Sequence, residues 1–596
     1  MPKTIIEQFN LGGLADSKYS GGKGSVARIL GANLHSTPGL LEAAQKLTKD
    51  SGSTITEFCK SSLACSDGNT YFPSSDSGKI WKRTSGGTYS LAHTTTPERG
   101  GAACLGIIEY NGFIYWVTER RLHRIKVSLT SDWATNAEED WAKLGVDQTI
   151  GGTGQTYIPP TSIAETAAAR QTFVPSKRRL QEVMIEVNAK GTGDWTLTVH
   201  DSSNVSIGSA TITNANLATG RQFFQFASAL ELVKLATYHI HVTSTVADGT
   251  LKTNAASDLE GGSVETHVPC DTEFHPIREQ NLVLYIGNGQ YIAQVDDVTF
   301  SPFALDIWEP NRIKCLGKLG TDLLLGTFIA DTVNKANVIR WNTWSISFTT
   351  SDDIPEAGIN AFLDSDNFVI VNAGLAGNLY NYDGNLLEPF KRVPAGNATY
   401  SPTATTVVHP NAVGNLNGLM LFGLSNKTGN PADQGVYVLG HYDKGYPIVL
   451  SLDFPISTGN LTGVEIGSIV VSGNDVFIAW KDTTGSTSYG VDKLDWSNKY
   501  SGMIIESRLF SASRDSLRTT NKIVVAYDEY PANTTITIKY KRQKDTSWQT
   551  LTSKKDAERY FVIAEITLDH ATLQIRVETT ASGNNAPKLQ SITVGL

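Results

Sequence analysis

The sequence predicts an all-β protein: a β-propeller of roughly seven blades with an inserted β-sandwich of jelly-roll-like pattern and a C-terminal β-sandwich. Three observations lead there. Glycine is abundant at 53 residues and methionine occurs only 4 times, while runs of Leu, Glu, Lys and Ala are scarce, a bias toward short strands and tight turns. A two-strand phrase recurs along the chain. One interval between phrases is far too long, and the extra residues carry strand patterns of their own.

The phrase is a polar turn, an apolar-alternating strand, a gap and a second such strand. Its copies start at Asp67, Asn111, Asn281, Asp322, Asp366, Asn417 and Asn474. The second copy reads Asn111-Gly112-Phe113-Ile114-Tyr115-Trp116, answered by Arg121-Leu122-His123-Arg124-Ile125. Spacings of about 40 to 60 residues suit propeller blades, because a small twisted sheet cannot bury both faces alone and must stack on neighbours. A string of separate β-sandwiches is the competing architecture, and it predicts less regular phrasing.

Between Asn111 and Asn281 the interval is about 170 residues, enough for a blade and a whole extra domain. Glu182–Val187, Trp195–His200 and Tyr238–Thr243 read as strands there. The predicted organisation is an extended N-terminal arm over 1–55, propeller over 56–149, the inserted sandwich over 150–267, propeller again over 268–505 and a C-terminal sandwich over 506–596. The insertion is expected to be separable, with few contacts crossing its boundary. The arm, rich in glycine but carrying Leu11, Leu14, Val26, Ile29, Leu30, Leu34, Leu40 and Leu41, is expected to lie on the first blade or on a neighbouring subunit. Within it, Leu40–Lys49 reads as a short helix or a packed extension.

At 596 residues the chain exceeds one hydrophobic core, and 40% hydrophobic with 18% charged residues fits folded domains. The net charge of -9 comes without any dense Lys/Arg block, which argues against sequence-specific nucleic-acid binding. No stretch reaches the length of a membrane span, and the first residues lack an apolar signal core, so folding in a cytosol is expected. Cys59, Cys65, Cys104, Cys270 and Cys315 are odd in number and scattered, which predicts buried free thiols.

Catalytic chemistry is sought and not found. Gly21-Gly22-Lys23-Gly24-Ser25 imitates a phosphate loop, but Gly24 separates the lysine from the hydroxyl residue, so it reads as a flexible linker. His239 and His241 share a face of a predicted strand without an identifiable third ligand. Asp364–Asn367 and Asp296-Asp297 lack the spaced oxygens of a calcium loop and read as turns. No pair of carboxylates is singled out for glycoside hydrolysis. Trp308, Trp341, Trp344, Trp480 and Trp548 are candidates for stacking on sugars, against the plainer reading as core. No catalytic, cofactor-binding or metal residue is therefore assigned, no cofactor is expected, and the chain reads as a structural or binding protein rather than an enzyme.

The arm from Gly12-Gly13-Leu14 to Pro38-Gly39-Leu40 resembles that of tailed-bacteriophage tail propeller proteins. Ser66–Phe72 with Gly78–Arg83 is similar to opening blades in phage structural proteins, and His239–Thr245 resembles sandwich modules of phage fibres. The resemblance implies a structural component of a virion tail, whether nozzle, tip or fibre, made in the bacterial host cytoplasm. Implied partners are other copies of the chain, other tail proteins and a host-surface glycan, with roles in assembly, attachment and DNA delivery. The alternative is a carbohydrate-binding or carbohydrate-degrading propeller.

Overall fold

The computed structural model describes residues 3–595 apart from 19–20, 151–154, 158, 160–169, 254–263, 366–367, 394–404, 429–432, 444, 512–517, 529, 552–553 and 557–560. Strands account for 56% and helices for 2%. Two of the helices are single turns, Phe9–Gly12 and Trp133–Asn136.

Seven sheets of the propeller follow one another. In the second blade the strands Gly106–Tyr110, Phe113–Val117, Arg121–Lys126 and Glu138–Lys143 pair in sequence, all antiparallel. The other blades span Leu63–Thr94, Ile277–Asp306, Arg312–Ile354, Ile359–Arg392, Thr405–Phe454 and Val464–Lys499. Each recurring phrase of the sequence is the second and third strand of a blade. The polar turns before them are tight hairpins whose backbone lies in the left-handed region, at Asn111 (φ 46°), Asn281 (φ 53°) and Asn417 (φ 52°), where Asn and Gly strain least. Asp366 and Asn367, the turn of the fifth copy, lie outside the described residues. The last blade supplies only three strands from its own stretch. Its fourth is Gln45–Lys49, paired with Ser488–Lys499.

That pairing corrects the expectation of an arm. The first fifty residues are woven through the rest of the chain. Lys3–Glu7 pairs with Leu589–Gly595, and Arg28–Leu30 pairs with Met503–Glu506 while touching the sixth blade at Leu452. Leu14, Val26, Ile29, Leu30, Leu34 and Leu41 sit in one core with Ile523, Val577 and Ile592 of the C-terminal sandwich and with Phe422 and Leu450 of the sixth blade. Glu42–Ala43 and Gln45–Lys49 are strands, not a helix. The physical reason is that the arm's apolar side chains find a surface within their own chain, and its backbone finds open strand edges there. Arg28 ties the three parts: Nε reaches Asp433 Oδ2 at 2.5 Å and Nη1 reaches Glu506 Oε1 at 3.0 Å.

Two sheets make the inserted sandwich. One pairs Val146–Ile150, Val264–His267, Arg179–Ala189, Gly220–Glu231 and shorter strands; the other orders Arg170–Phe173, Tyr238–Ser244, Trp195–Asp201 and Ser206–Ile212. Its core, around Val183, Ile185, Trp195, Leu197, Phe224 and Ile240, contains no propeller residue among the described residues. The boundary, however, is not free of contacts. Glu182, fully buried, meets Arg99 Nη2 and Arg120 Nη1, each at 2.8 Å. Glu265 meets Lys143 Nζ at 2.5 Å and Arg221 Nη2 at 2.6 Å. The insertion, with a core of its own, is thus bolted to the second blade by charge.

Candidate binding cavity on the propeller axis

The inner strands converge on the axis, and close approach there requires small residues. A Cβ on Gly106 would lie 2.6 Å from His275 O, and one on Gly317 would lie 2.7 Å from Phe362 Cγ. Where the inner strands begin, the axis opens into a cavity of about 560 Å³. Toward their far ends a second cavity of about 290 Å³ shares Pro410 and Asn411 with the first. The upper cavity takes residues at or just before the opening of six of the seven inner strands: Lys60, Cys104, Glu273, Arg312, His409 and Glu465.

Its charges are arranged in pairs. Arg312 grips the buried Asp271 through two hydrogen bonds, Nε to Oδ2 at 2.7 Å and Nη2 to Oδ1 at 2.6 Å, a planar fork on a carboxylate. His409 Nε2 lies 2.8 Å from Glu465 Oε1, and Lys481 Nζ lies 3.7 Å from Oε2. Burial alone would raise the Glu465 pKa, but the hydrogen bond from His409 and the nearby lysines hold it below the usual range. Burial pushes His409 down, so its imidazole is neutral at pH 7. Lys314 donates to Asn360 Oδ1 at 2.8 Å between the rings of Phe274 and Phe328. The Cys104 thiol is pushed up to about 12 by burial, which leaves it a poor nucleophile.

This arrangement can hold a polar ligand against fixed charges. Glu465 is ionised rather than poised to give up a proton, and general-acid work at neutral pH needs the opposite shift.

The residues noted in the sequence are dispersed. His239 and His241 share one face of Tyr238–Ser244, and His200 joins them across the sheet, its ring 4.6 Å from that of His241. Among the described residues no group of three His, Cys, Asp or Glu could hold a metal ion. The five cysteines are free. Trp341 and Trp480 are buried, their indole N–H groups bonded to Ser345 O and Asp492 Oδ1. Trp548 lies under the Arg576 guanidinium at 4.2 Å. Trp308 packs against Phe348, and Trp344 stands 85% exposed. The axial residues were missed because they precede each phrase by about ten residues and do not repeat one residue type from blade to blade. Reading the repeat backward to the opening of each inner strand would have found them.

No family model and no curated protein matches the chain. Solved structures that resemble it include an exo-β-1,3-galactanase of Phanerochaete chrysosporium, at 10% identity and a TM-score of 0.24, covering 54% of this chain and 95% of that one. Others are the N-terminal domain of Nup159 of S. cerevisiae (9% identity, TM-score 0.23, 68% and 98% covered), and a family 32 glycoside hydrolase of Bifidobacterium adolescentis (8% identity, TM-score 0.19, 72% and 99% covered). Similarity that low assigns no role to any residue here.

Proposed function

We propose that this chain is a structural component of a phage virion tail, at the nozzle, tip or fibre, that assembles with further copies of itself and with other tail proteins. The observation that carries the reading is one end of the propeller. The hairpin turns of the third, fourth and fifth blades emerge together there, joined by Asn281 Nδ2 to Thr321 O at 2.9 Å and Arg340 Nη1 to Gly384 O at 3.2 Å. They present Leu282 (80% exposed), Val298 (67%), Trp344 (85%), Ile346 (96%) and Leu386 (54%) to solvent. Clustered apolar tips of that kind mark an interaction surface. Leu282 also adopts φ 61°, a conformation that costs a branched side chain about 1 kcal/mol or more, and strain of this kind collects at functional positions.

Two measurements test it. Light scattering of the purified chain should give a multiple of 64.5 kDa, and Leu282→Gly with Ile346→Ser should reduce it to the single-chain mass without lowering the melting temperature. Mass spectrometry of gradient-purified particles from the source of the gene should find the chain in them. A single-chain mass at every concentration, together with absence from particles, would end this reading.

The axial cavity favours a second reading, a carbohydrate-binding or carbohydrate-degrading propeller. Release of reducing ends from a panel of glycans, lost in Glu465→Gln, would support it against the first.

A further inference from the structure

A different cavity, of about 430 Å³, lies in the C-terminal sandwich where the N-terminal segment crosses it. Lys23, Arg508, Arg518 and His570 line it together with Gly24 and Ser25, and none of its described lining residues is acidic. In a chain of net charge -9 that is a local inversion of sign. We propose that this cavity binds a phosphate group, free or as a monoester, an inference independent of the particle assignment above.

The cations are available. Neither Arg508 nor Arg518 forms an ion pair among the described residues. Arg508 Nε donates to Ser25 O at 3.3 Å, which fixes the guanidinium while sparing its two terminal nitrogens. Lys23 approaches Glu7 at 3.6 Å, but both side chains are largely exposed, so that pair contributes little. Arg518 stands directly across the strand pair from His570. A guanidinium presents the donor fork that matches phosphate oxygens.

His570 is the second, separate sign. It is 1% exposed, its Nε2 lies 2.8 Å from Thr520 Oγ1, and its Nδ1 has no partner. A buried polar nitrogen left without a partner is costly and asks for a ligand or water. In the tautomer whose Nε2 accepts from the Thr520 hydroxyl, the proton sits on Nδ1 and can be donated to an oxyanion. Burial first, then Arg518, partly offset by Asp569, with Arg542 adding least, push the empty imidazole below its usual pKa; a bound phosphate opposes both cations.

The glycine-rich segment has a part in this, although not as a phosphate loop, since no helix follows it. Ser25 Oγ donates to Gly22 O at 2.6 Å. Gly24 lies at φ +73° where a Cβ would come within 2.2 Å of Gln8 O. The turn is thereby clamped to the N-terminal strand and carries Lys23 to the cavity wall. The volume exceeds what one phosphate fills and leaves room for the alcohol of an ester.

Calorimetric titration of the full chain with inorganic phosphate and with glycerol phosphate tests this. Saturable binding should weaken at least about tenfold in Arg508→Gln and in Arg518→Gln, and stay unchanged in Lys544→Gln, an exposed lysine of the same domain. Tighter binding of glycerol phosphate identifies an ester as the ligand; equal binding identifies the free anion. Should the arginine variants unfold, two wild-type measurements remain: the His570 imidazole pKa followed by NMR should rise with phosphate, and the melting temperature should rise with phosphate but not with chloride at equal ionic strength. No saturable heat up to about 50 mM phosphate, or an equal loss in Lys544→Gln, would refute the site.

Discussion

The two sandwiches are attached to the propeller by opposite means. The inserted one encloses its own apolar core and meets the second blade through ion pairs centred on Glu182 and Glu265. The C-terminal one has no boundary of that kind. Its core runs without a break into the fifth and sixth blades, through residues such as Leu363, Phe422 and Leu450, and its sheets take strands from both ends of the chain. An ion-pair junction can in principle be undone by changing one charge or the pH, whereas a shared core is lost only with the fold. The insertion is therefore coupled electrostatically, and the terminal sandwich is part of the propeller's stability.

The largest effect expected from this difference is the loss of the N-terminal segment. Removing residues 1–49 strips strands from the terminal sandwich and the fourth strand from the last blade. Each of the buried Leu14, Val26, Ile29, Leu30, Leu34 and Leu41 is worth about 1.5–3 kcal/mol, and together they match the whole stability of a typical domain. The truncated chain should show no cooperative thermal unfolding and should aggregate. A sharp melt near that of the wild type would mean the shared core is dispensable.

A smaller effect is expected from Glu182→Gln. It leaves Arg99 and Arg120 facing a neutral amide in a buried setting, at a cost of about 3 kcal/mol. Chemical denaturation should register that loss, while a double substitution with Arg120→Met should recover part of it, as coupled neighbours do. If Glu182→Gln costs nothing, the junction is held by something other than charge.

The smallest effect separates the two attachments by pH. Glu265 would be raised by burial, yet His267 and Lys143 hold it down to about 2. Its folded pKa is depressed, so the stability it supplies is complete above about 4.5 and fades as pH falls toward 2. Asp453 lies on the strand of the sixth blade that receives the N-terminal segment, with Ser451 as its hydrogen-bond donor. Burial raises its pKa to about 8. The folded state there holds the proton more tightly than the unfolded chain, so stability falls as pH climbs from about 4 to 8. Urea unfolding from acid to mildly alkaline pH should show Glu265→Gln erasing the acid limb and Asp453→Asn flattening the neutral one. Parallel profiles in both variants would remove this distinction.

Much of the architecture could be read in the chain. Asn111-Gly112 and Asn417-Gly418 announced hairpins because Asn and Gly tolerate a left-handed backbone, and apolar runs such as Val283–Ile286 announced the strand that follows. These are local signals with local causes. The axial residues could be placed only through the repeat, at the opening of each inner strand; that Lys60, His409 and Glu465 line one cavity follows only when the blades close. His200 and His570 were not legible, because their significance comes from facing His241 and Arg518 across a sheet.

The sequence by itself determined the repeating blades, roughly seven of them, and the place of the insertion, since each follows from turn chemistry and strand patterning within about 50 residues. Only the tertiary structure decided what the first fifty residues do. Their leucines required burial, which the sequence states, but burial does not name a surface. The open edge of Leu589–Gly595 and the incomplete last blade supplied it, because unpaired strand edges and unburied apolar faces are satisfied together by a strand that adds to both.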